Sequence, residues 1–273
     1  MRAIVTGAAG GIGRATAKTL TTDAIRRGGQ ARLLLVDMAE GTLNTVADEV
    51  RALGGLAEIH AADLTDPTAC EAVVSHAEKA FGGLDVLASI AGIWPRKDLL
   101  EYSVEEWDRT FNVNTRATWL LAKAAFPMLK ESKGCIVAVC SIAAHEPAPT
   151  LGAYSPSKAA LMMMIRQLAN DWGKYGIRSN SISPGSTANM SKLPPGSEAA
   201  LLTRGNNPLG IVSVGEDQAA AIAFLVSPEA RFINGADLAV DGGAQTQLMT
   251  ASGMAASPEE RARRAAALRE AQS

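Results

Sequence analysis

The chain of 273 residues predicts an α/β fold, one doubly wound parallel sheet with helices on both faces. Three observations carry the prediction. The chain opens with a strand, a glycine turn and a helix. Short apolar strands then alternate with helical stretches as far as Pro184-Gly185, and the second strand ends on a carboxylate, Asp37. Alternation of this kind builds βαβ units, which pack as a parallel sheet covered on both sides. The length suits one large domain with a substantial core.

Arg2-Ala3-Ile4-Val5-Thr6 reads as a short buried strand running into Gly7-Ala8-Ala9-Gly10-Gly11-Ile12-Gly13 and a helix from Arg14 to about Leu20. Such a unit opens Rossmann-like, dinucleotide-binding folds. Its glycines let the backbone turn sharply and approach a pyrophosphate, and the helix N-terminus offers free N–H groups. The Gly-x-x-x-Gly-x-Gly spacing differs from the commoner Gly-x-Gly-x-x-Gly. Thr21–Gln30, with Arg26-Arg27-Gly28-Gly29, suggests a lengthened helix end and a turn.

The next strand, Ala31 to Asp37, is followed by Met38, Ala39 and Glu40 without a base. An acidic residue there can accept hydrogen bonds from an adenosine ribose and repel a 2′-phosphate, which favours NAD over NADP. Asp37 also reads as an ordinary helix cap. A helix of about Leu43–Leu53, a strand of about Ala57–His60 leading to Asp63-Leu64, a helix from Pro67 to about Phe81 and a strand of about Leu84–Ala88 follow. That strand enters Ser89-Ile90-Ala91-Gly92. A long helix capped by Ser103 should cover about Val104–Lys130, with Pro127 kinking or fraying its end. Cys135–Cys140 is an uncharged strand suited to the sheet centre, ending in Ser141. The helix of Tyr154 and the strand Arg178–Ser183 come last.

Tyr154 and Lys158 are four residues apart, so on a helix they share one face, one turn apart. A phenol with a pKa near ~10 is a poor acid or base at neutral pH. A neighbouring ammonium should lower it toward the range of general acid–base catalysis.

Composition excludes several classes. Charged residues make up 20% and the net charge is −2, so neither nucleic acid nor an anionic membrane is an expected partner. No apolar run approaches the ~20 residues of a membrane span. The apolar run Ala3-Ile4-Val5 stands almost at the first residue, so no signal peptide is expected. Cys70, Cys135 and Cys140 lack metal-ligand spacing, and Cys135 and Cys140 should face opposite sides of the sheet. No metal and a reduced, cytoplasmic location are expected. Neither repeat nor linker composition precedes residue 249, so residues 1–248 read as one domain and 249–273 as an extension.

In chain order stand Thr6-Gly7-x-x-x-Gly11-Ile12-Gly13, Asp63-Leu64, Ala91-Gly92, Asn114, Ser141, Tyr154-x-x-x-Lys158 and Asn180-x-x-x-Pro184-Gly185. Together they resemble the short-chain dehydrogenase/reductase family over roughly residues 2–245. The resemblance implies an NAD-dependent oxidoreductase moving hydride between a secondary alcohol and its ketone. Tyr154 would be the acid/base. Lys158 would bind the nicotinamide ribose and depress the Tyr154 pKa, Ser141 would polarise the carbonyl, and Asn114 would hold a water linking Lys158 to solvent. The implied NAD surface comprises Gly7, Gly11, Ile12, Gly13, Asp37, Met38, Asp63, Leu64, Ile90, Ala91, Gly92, Tyr154, Lys158, Pro184, Gly185 and Thr187. Ile90 departs from the family's usual asparagine.

Residues 186–207 form a polar segment expected to act as a lid or specificity element, with Thr187 contacting the nicotinamide carboxamide. Trp94, Arg96 and His145 are the candidate substrate contacts, each of which also reads as an ordinary loop residue. Ala143-Ala144-His145 with Ser183-Pro184-Gly185-Ser186-Thr187 is similar to dehydrogenases of cyclic diol carboxylates. A 3-oxoacyl-thioester reductase, commonly NADP-dependent, and a catalytically inactive nucleotide-binding regulator are the competing readings. Asp37 argues against the first, the intact Ser141, Tyr154 and Lys158 against the second. Met162-Met163-Met164 suggests core or subunit packing, and the family implies a homotetramer or dimer. Ser257-Pro258-Glu259-Glu260 starts a helix in the extension.

Overall fold

The computed structural model describes residues 1–187 and 207–246. Seven parallel strands form one sheet: β1 (Arg2–Thr6), β2 (Arg32–Asp37), β3 (Leu56–Ala61), β4 (Val86–Ser89), β5 (Cys135–Val139), β6 (Arg178–Pro184) and β7 (Asp237–Val240). Their spatial order is β3-β2-β1-β4-β5-β6-β7. The chain winds outward through β2 and β3, then returns to place β4 on the other side of β1. That reversal opens a crevice at the carboxyl ends of β1 and β4, where such sheets bind ligands.

Alternation along each strand divides the core into two layers. Val5, Leu33, Leu35, Val137 and Ile182 pack under α1 (Gly11–Arg26), α2 (Glu40–Ala52) and a later helix, Gly215–Val226. Ile4, Leu34, Val36, Leu87 and Ile136 pack under α3 (Pro67–Phe81), α5 (Ala117–Ser132) and α6 (Tyr154–Trp172). Cys135 joins the first layer and Cys140 the second, on the opposite faces expected of them.

Several elements differ from the sequence pattern. The first helix runs to Arg26 rather than Leu20, because Thr21 and Ala24 continue its buried stripe and Asp23 pairs with Arg26 and Arg27. The long helix runs without a gap from Val104 to Ser132, but it carries a π-helical turn, Asn112–Arg116, between α4 (Val104–Phe111) and α5. Pro127 neither frays nor ends α5, which continues to Ser132. Proline lies on the exposed side, and the carbonyl it leaves unpaired, four residues back at Lys123, is on an exposed residue too. Two elements without a clear sequence signal complete the fold: α7 (Gly215–Val226) and the edge strand β7. The 249–273 extension, with its Ser257 helix start, lies outside the described residues, as do residues 188–206 of the polar segment.

Candidate active site

Four polar groups arrive at the crevice from three separate elements. Ser141 leaves the end of β5 and caps a tight turn, its Oγ accepting from the Ala143 N–H at 3.1 Å. Tyr154 opens α6, and Lys158 lies one turn later with only 3% of its surface exposed. Asn114 sits inside the π turn and is fully buried. Such turns insert one residue into a helix and recur at functional sites. Here the insertion lets Asn114 grip two neighbours: its Oδ1 accepts from the Ile93 N–H at 2.8 Å, and its Nδ2 donates to Ile93 O and Ser157 Oγ, both at 2.9 Å. Its side chain therefore clamps the loop after β4 to α6 and keeps no free donor for a water. A β-carbon added at Gly92 would stand 3.2 Å from both Asn114 Oδ1 and Lys158 Nζ, so this glycine brings the β4 exit against the lysine.

The electrostatics differ from the expectation drawn from spacing. Burial raises the Tyr154 phenol above its ordinary value, only partly offset by a hydrogen bond from Ser141. Lys158 Nζ donates to Val139 O at 2.7 Å and stands 5.9 Å from the centre of the tyrosine ring. Burial pushes Lys158 itself down to about 8. Desolvation disfavours the charged form of each group and is the largest cause of both shifts.

The glycine turn is shaped for close approach. Gly7 takes a φ of +64°, and a β-carbon there would meet the Ala91 backbone at 2.9 Å. A β-carbon at Gly13 would collide with the Gly7 carbonyl. The α1 N-cap, Gly10, provides no side-chain cap, so the N–H groups of Gly11, Ile12 and Gly13 are left to a ligand or solvent. The Asp37 carboxylate sits at the end of β2, accepting from the N–H groups of Ala9 at 3.2 Å, Met38 at 2.8 Å and Ala39 at 3.3 Å. Thr6 Oγ1 accepts from the N–H groups of Ile90 and Ala91, so the β4 exit is held from β1 without an asparagine at position 90. Asp63 accepts from the Thr65 N–H at 2.9 Å, which holds it below the usual carboxylate range, and Leu64 is buried beside it. Gly185 donates to Val240 O at 3.2 Å, and Thr187 Oγ1 bonds Gly185 O at 3.3 Å. A cradle of glycines, an uncapped helix N-terminus and a carboxylate at the second strand end fit a dinucleotide.

The substrate candidates are placed unequally. Trp94 and Arg96 lie exposed on the loop between β4 and α4. His145 is a third exposed, and its Nε2 is 2.8 Å from Asp237 Oδ2. Sequence reasoning assigns no role to the supporting residues Thr6, Ser157, Thr115 and Asp237. Ser157 Oγ donates to Tyr154 O at 2.7 Å, and Thr115 Oγ1 donates to Ser157 O at 2.8 Å. The Ser157 signal was present in the Tyr154-Ser155-Pro156-Ser157-Lys158 run; Asp237 carried none.

The family described as Enoyl-(Acyl carrier protein) reductase matches residues 7–245. The chain is 38% identical to cis-4-hydroxycyclohexanecarboxylate dehydrogenase of Sinomonas cyclohexanicum, over 88% of this chain and 95% of that protein. It is 34% identical to 2,3-dihydro-2,3-dihydroxybenzoate dehydrogenase of Bacillus subtilis (strain 168), over 89% and 95%. It also matches the crystal structure of a short chain dehydrogenase from Burkholderia cenocepacia J2315 in complex with NADP. The TM-score is 0.81 and the identity 37%, covering 89% of this chain and 97% of that one. Sequence order, sheet topology and these likenesses agree: the chain belongs to the short-chain dehydrogenase/reductase family of oxidoreductases.

Proposed function

We propose that the protein is an NAD-dependent dehydrogenase that interconverts a secondary alcohol carried on a small ring and its ketone. The observation that carries this reading is the convergence of Ser141, Tyr154, Lys158 and Asn114 on one crevice beside the glycine turn. Asp37 argues for NAD, since a 2′-phosphate would meet its carboxylate. The ring is argued from the relatives, whose names include a hydroxycyclohexanecarboxylate and a dihydrodiol of benzoate.

In this mechanism a bound nicotinamide supplies hydride acceptance and donation. The chain's own residues handle position and protons. Tyr154 takes the hydroxyl proton of the alcohol as the carbonyl forms, and returns it in the opposite direction. Ser141 donates to the same oxygen and fixes its place. Lys158, buried and easily deprotonated for a lysine, would hold a ribose hydroxyl of the cofactor and place a positive charge near the developing phenolate. Asn114 keeps the β4 exit and α6 in register so that these groups meet.

The test is an NADH absorbance assay with ring alcohols, including cyclohexanol, cis-1,2-cyclohexanediol and hydroxylated cyclohexanecarboxylates, against open-chain alcohols. Tyr154→Phe should remove turnover and keep NADH affinity. Retained turnover in that variant rules out the mechanism.

A further inference from the structure

Ser141 and His145 are the two ends of one backbone-bonded turn. Ala144 N–H donates to Ser141 O at 2.9 Å, while His145 and Glu146 N–H donate to Ile142 O at 3.0 and 3.1 Å. The His145 side chain leaves this turn toward the sheet edge and meets Asp237, the first residue of β7. The Asp237 side chain is only 4% exposed. Besides His145 at 2.8 Å, its carboxylate accepts from Ser183 Oγ at 2.7 Å and from Ser181 Oγ. Among the described residues no lysine or arginine pairs with it. A buried carboxylate needs every donor it has, since losing one leaves charge without compensation.

We infer that His145 and Asp237 form a strut that fixes the Ser141 turn to the edge of the sheet, making both positioning residues for the reaction proposed above. His145 acts here through Ser141 and need not touch the substrate. Among the described residues the backbone ties the start of this turn to the sheet, where Cys140 N–H donates to Ile182 O at 2.8 Å, while at its far end Tyr154 N–H bonds only within the loop, to Leu151 O at 2.8 Å. The strut supplies the missing lateral tie, and it reaches β7 because Ser181 and Asp237 are paired neighbours on adjacent strands.

The test uses the full chain with four variants: His145→Ala, His145→Gln, Asp237→Ala and the double His145→Ala/Asp237→Ala. Hydrogen–deuterium exchange read by mass spectrometry reports the turn directly, with no substrate needed. His145→Ala and Asp237→Ala should raise exchange in residues 141–147 by about 10-fold or more. His145→Gln, whose amide N–H still reaches Asp237, should stay near the wild type. The double variant should exchange no faster than the faster single one, because the His145–Asp237 contact is already lost in each. NADH affinity by fluorescence titration should not change. Where a ring alcohol is oxidised, kcat should fall between ~10- and ~100-fold in the alanine variants and recover in His145→Gln. Unchanged exchange in His145→Ala, no recovery in His145→Gln, or additive losses in the double variant overturns the strut. If Asp237→Ala does not fold, His145→Ala against His145→Gln decides alone. The kinetic arm rests on the proposed function. Turnover retained by Tyr154→Phe refutes that function and leaves the exchange result to judge the strut.

Discussion

Replacing Lys158 by methionine should abolish turnover and yet stabilise the protein at neutral pH. Burial moves the lysine from its ordinary 10.5 to about 8. At ~1.4 kcal/mol per pKa unit, keeping the ammonium in the fold at pH 7 costs roughly 3 kcal/mol. Methionine is of similar length and carries no charge to desolvate. It would leave Val139 O without the 2.7 Å donor, a loss of about 1 kcal/mol. The net expectation is a gain of about 2 kcal/mol at pH 7. The sign against pH follows from the depressed value. Between pH 8 and 10.5 the unfolded chain still binds a proton that the native chain has shed, so wild-type stability rises through that window. Below pH 8 the cost is constant; above 10.5 it is gone. Urea unfolding of both proteins at pH 7 and pH 10 measures the difference, and other titrating groups cancel between them. A variant less stable at pH 7, or a difference that does not change with pH, would refute the argument that desolvation dominates at Lys158.

Other expectations are more local. Asp37→Ala should weaken NAD binding by about 10-fold, the scale of a lost charged hydrogen bond, and narrow the preference over NADP; fluorescence titrations with both cofactors check it, and unchanged selectivity would count against the assigned role. Gly152→Ala should cost about 1–3 kcal/mol, because Gly152 has a φ of +44° and a β-carbon there would collide with the Tyr102 ring and lie 2.8 Å from Lys97 O. Its denaturation midpoint should drop together with turnover, since Tyr154 is two residues on; stability within ~0.5 kcal/mol of wild type would show that the loop yields freely. Thr6→Val should lower NAD affinity more than stability, because Thr6 Oγ1 is the acceptor that holds the Ile90 and Ala91 amides; calorimetric titration beside a melting curve separates the two.

What could be read from the chain alone was what local chemistry writes into it. Helix α3 was read at both ends because Asp66 caps it, its side chain accepting from the Thr68 N–H, Pro67 occupies its first turn, and Gly82 closes it at φ +68°. The strands were legible because buried residues alternate between two apolar layers. Helix α1 looked shorter than it is because Thr21-Thr22-Asp23 are weak helix formers, held there by packing and by the Asp23 pairs. α7 opens on a glycine that fits closely against the Gly11 carbonyl, a tertiary reason with no local signature. β7 begins with an aspartate and pairs on one side only, so it lacks the apolar run of an interior strand. In the site, the side chains proposed to react stand in recognisable order. Their supports do not, since Asn114 to Ser157 spans 43 residues and His145 to Asp237 spans 92, and contacts that distant leave no period to read. Spacing alone gives the opposite direction for the Tyr154 shift for a similar reason: it shows who is near, but only the fold shows how little water remains.

The widened turn at Asn112–Arg116 makes the enzyme vulnerable in a particular way. An α-helix advances ~100° per residue, so the one surplus residue is what allows α4 and the buried stripe of Leu121, Ala125 and Leu129 to face their separate neighbours while residue 114 reaches Ile93 and Ser157. Losing a single codon in that stretch would heal the helix into regular form. Such a chain could keep its sheet, its glycine turn and its nucleotide while the clamp swung away, a route by which a lineage could turn a catalyst into a mere nucleotide receptor in one step.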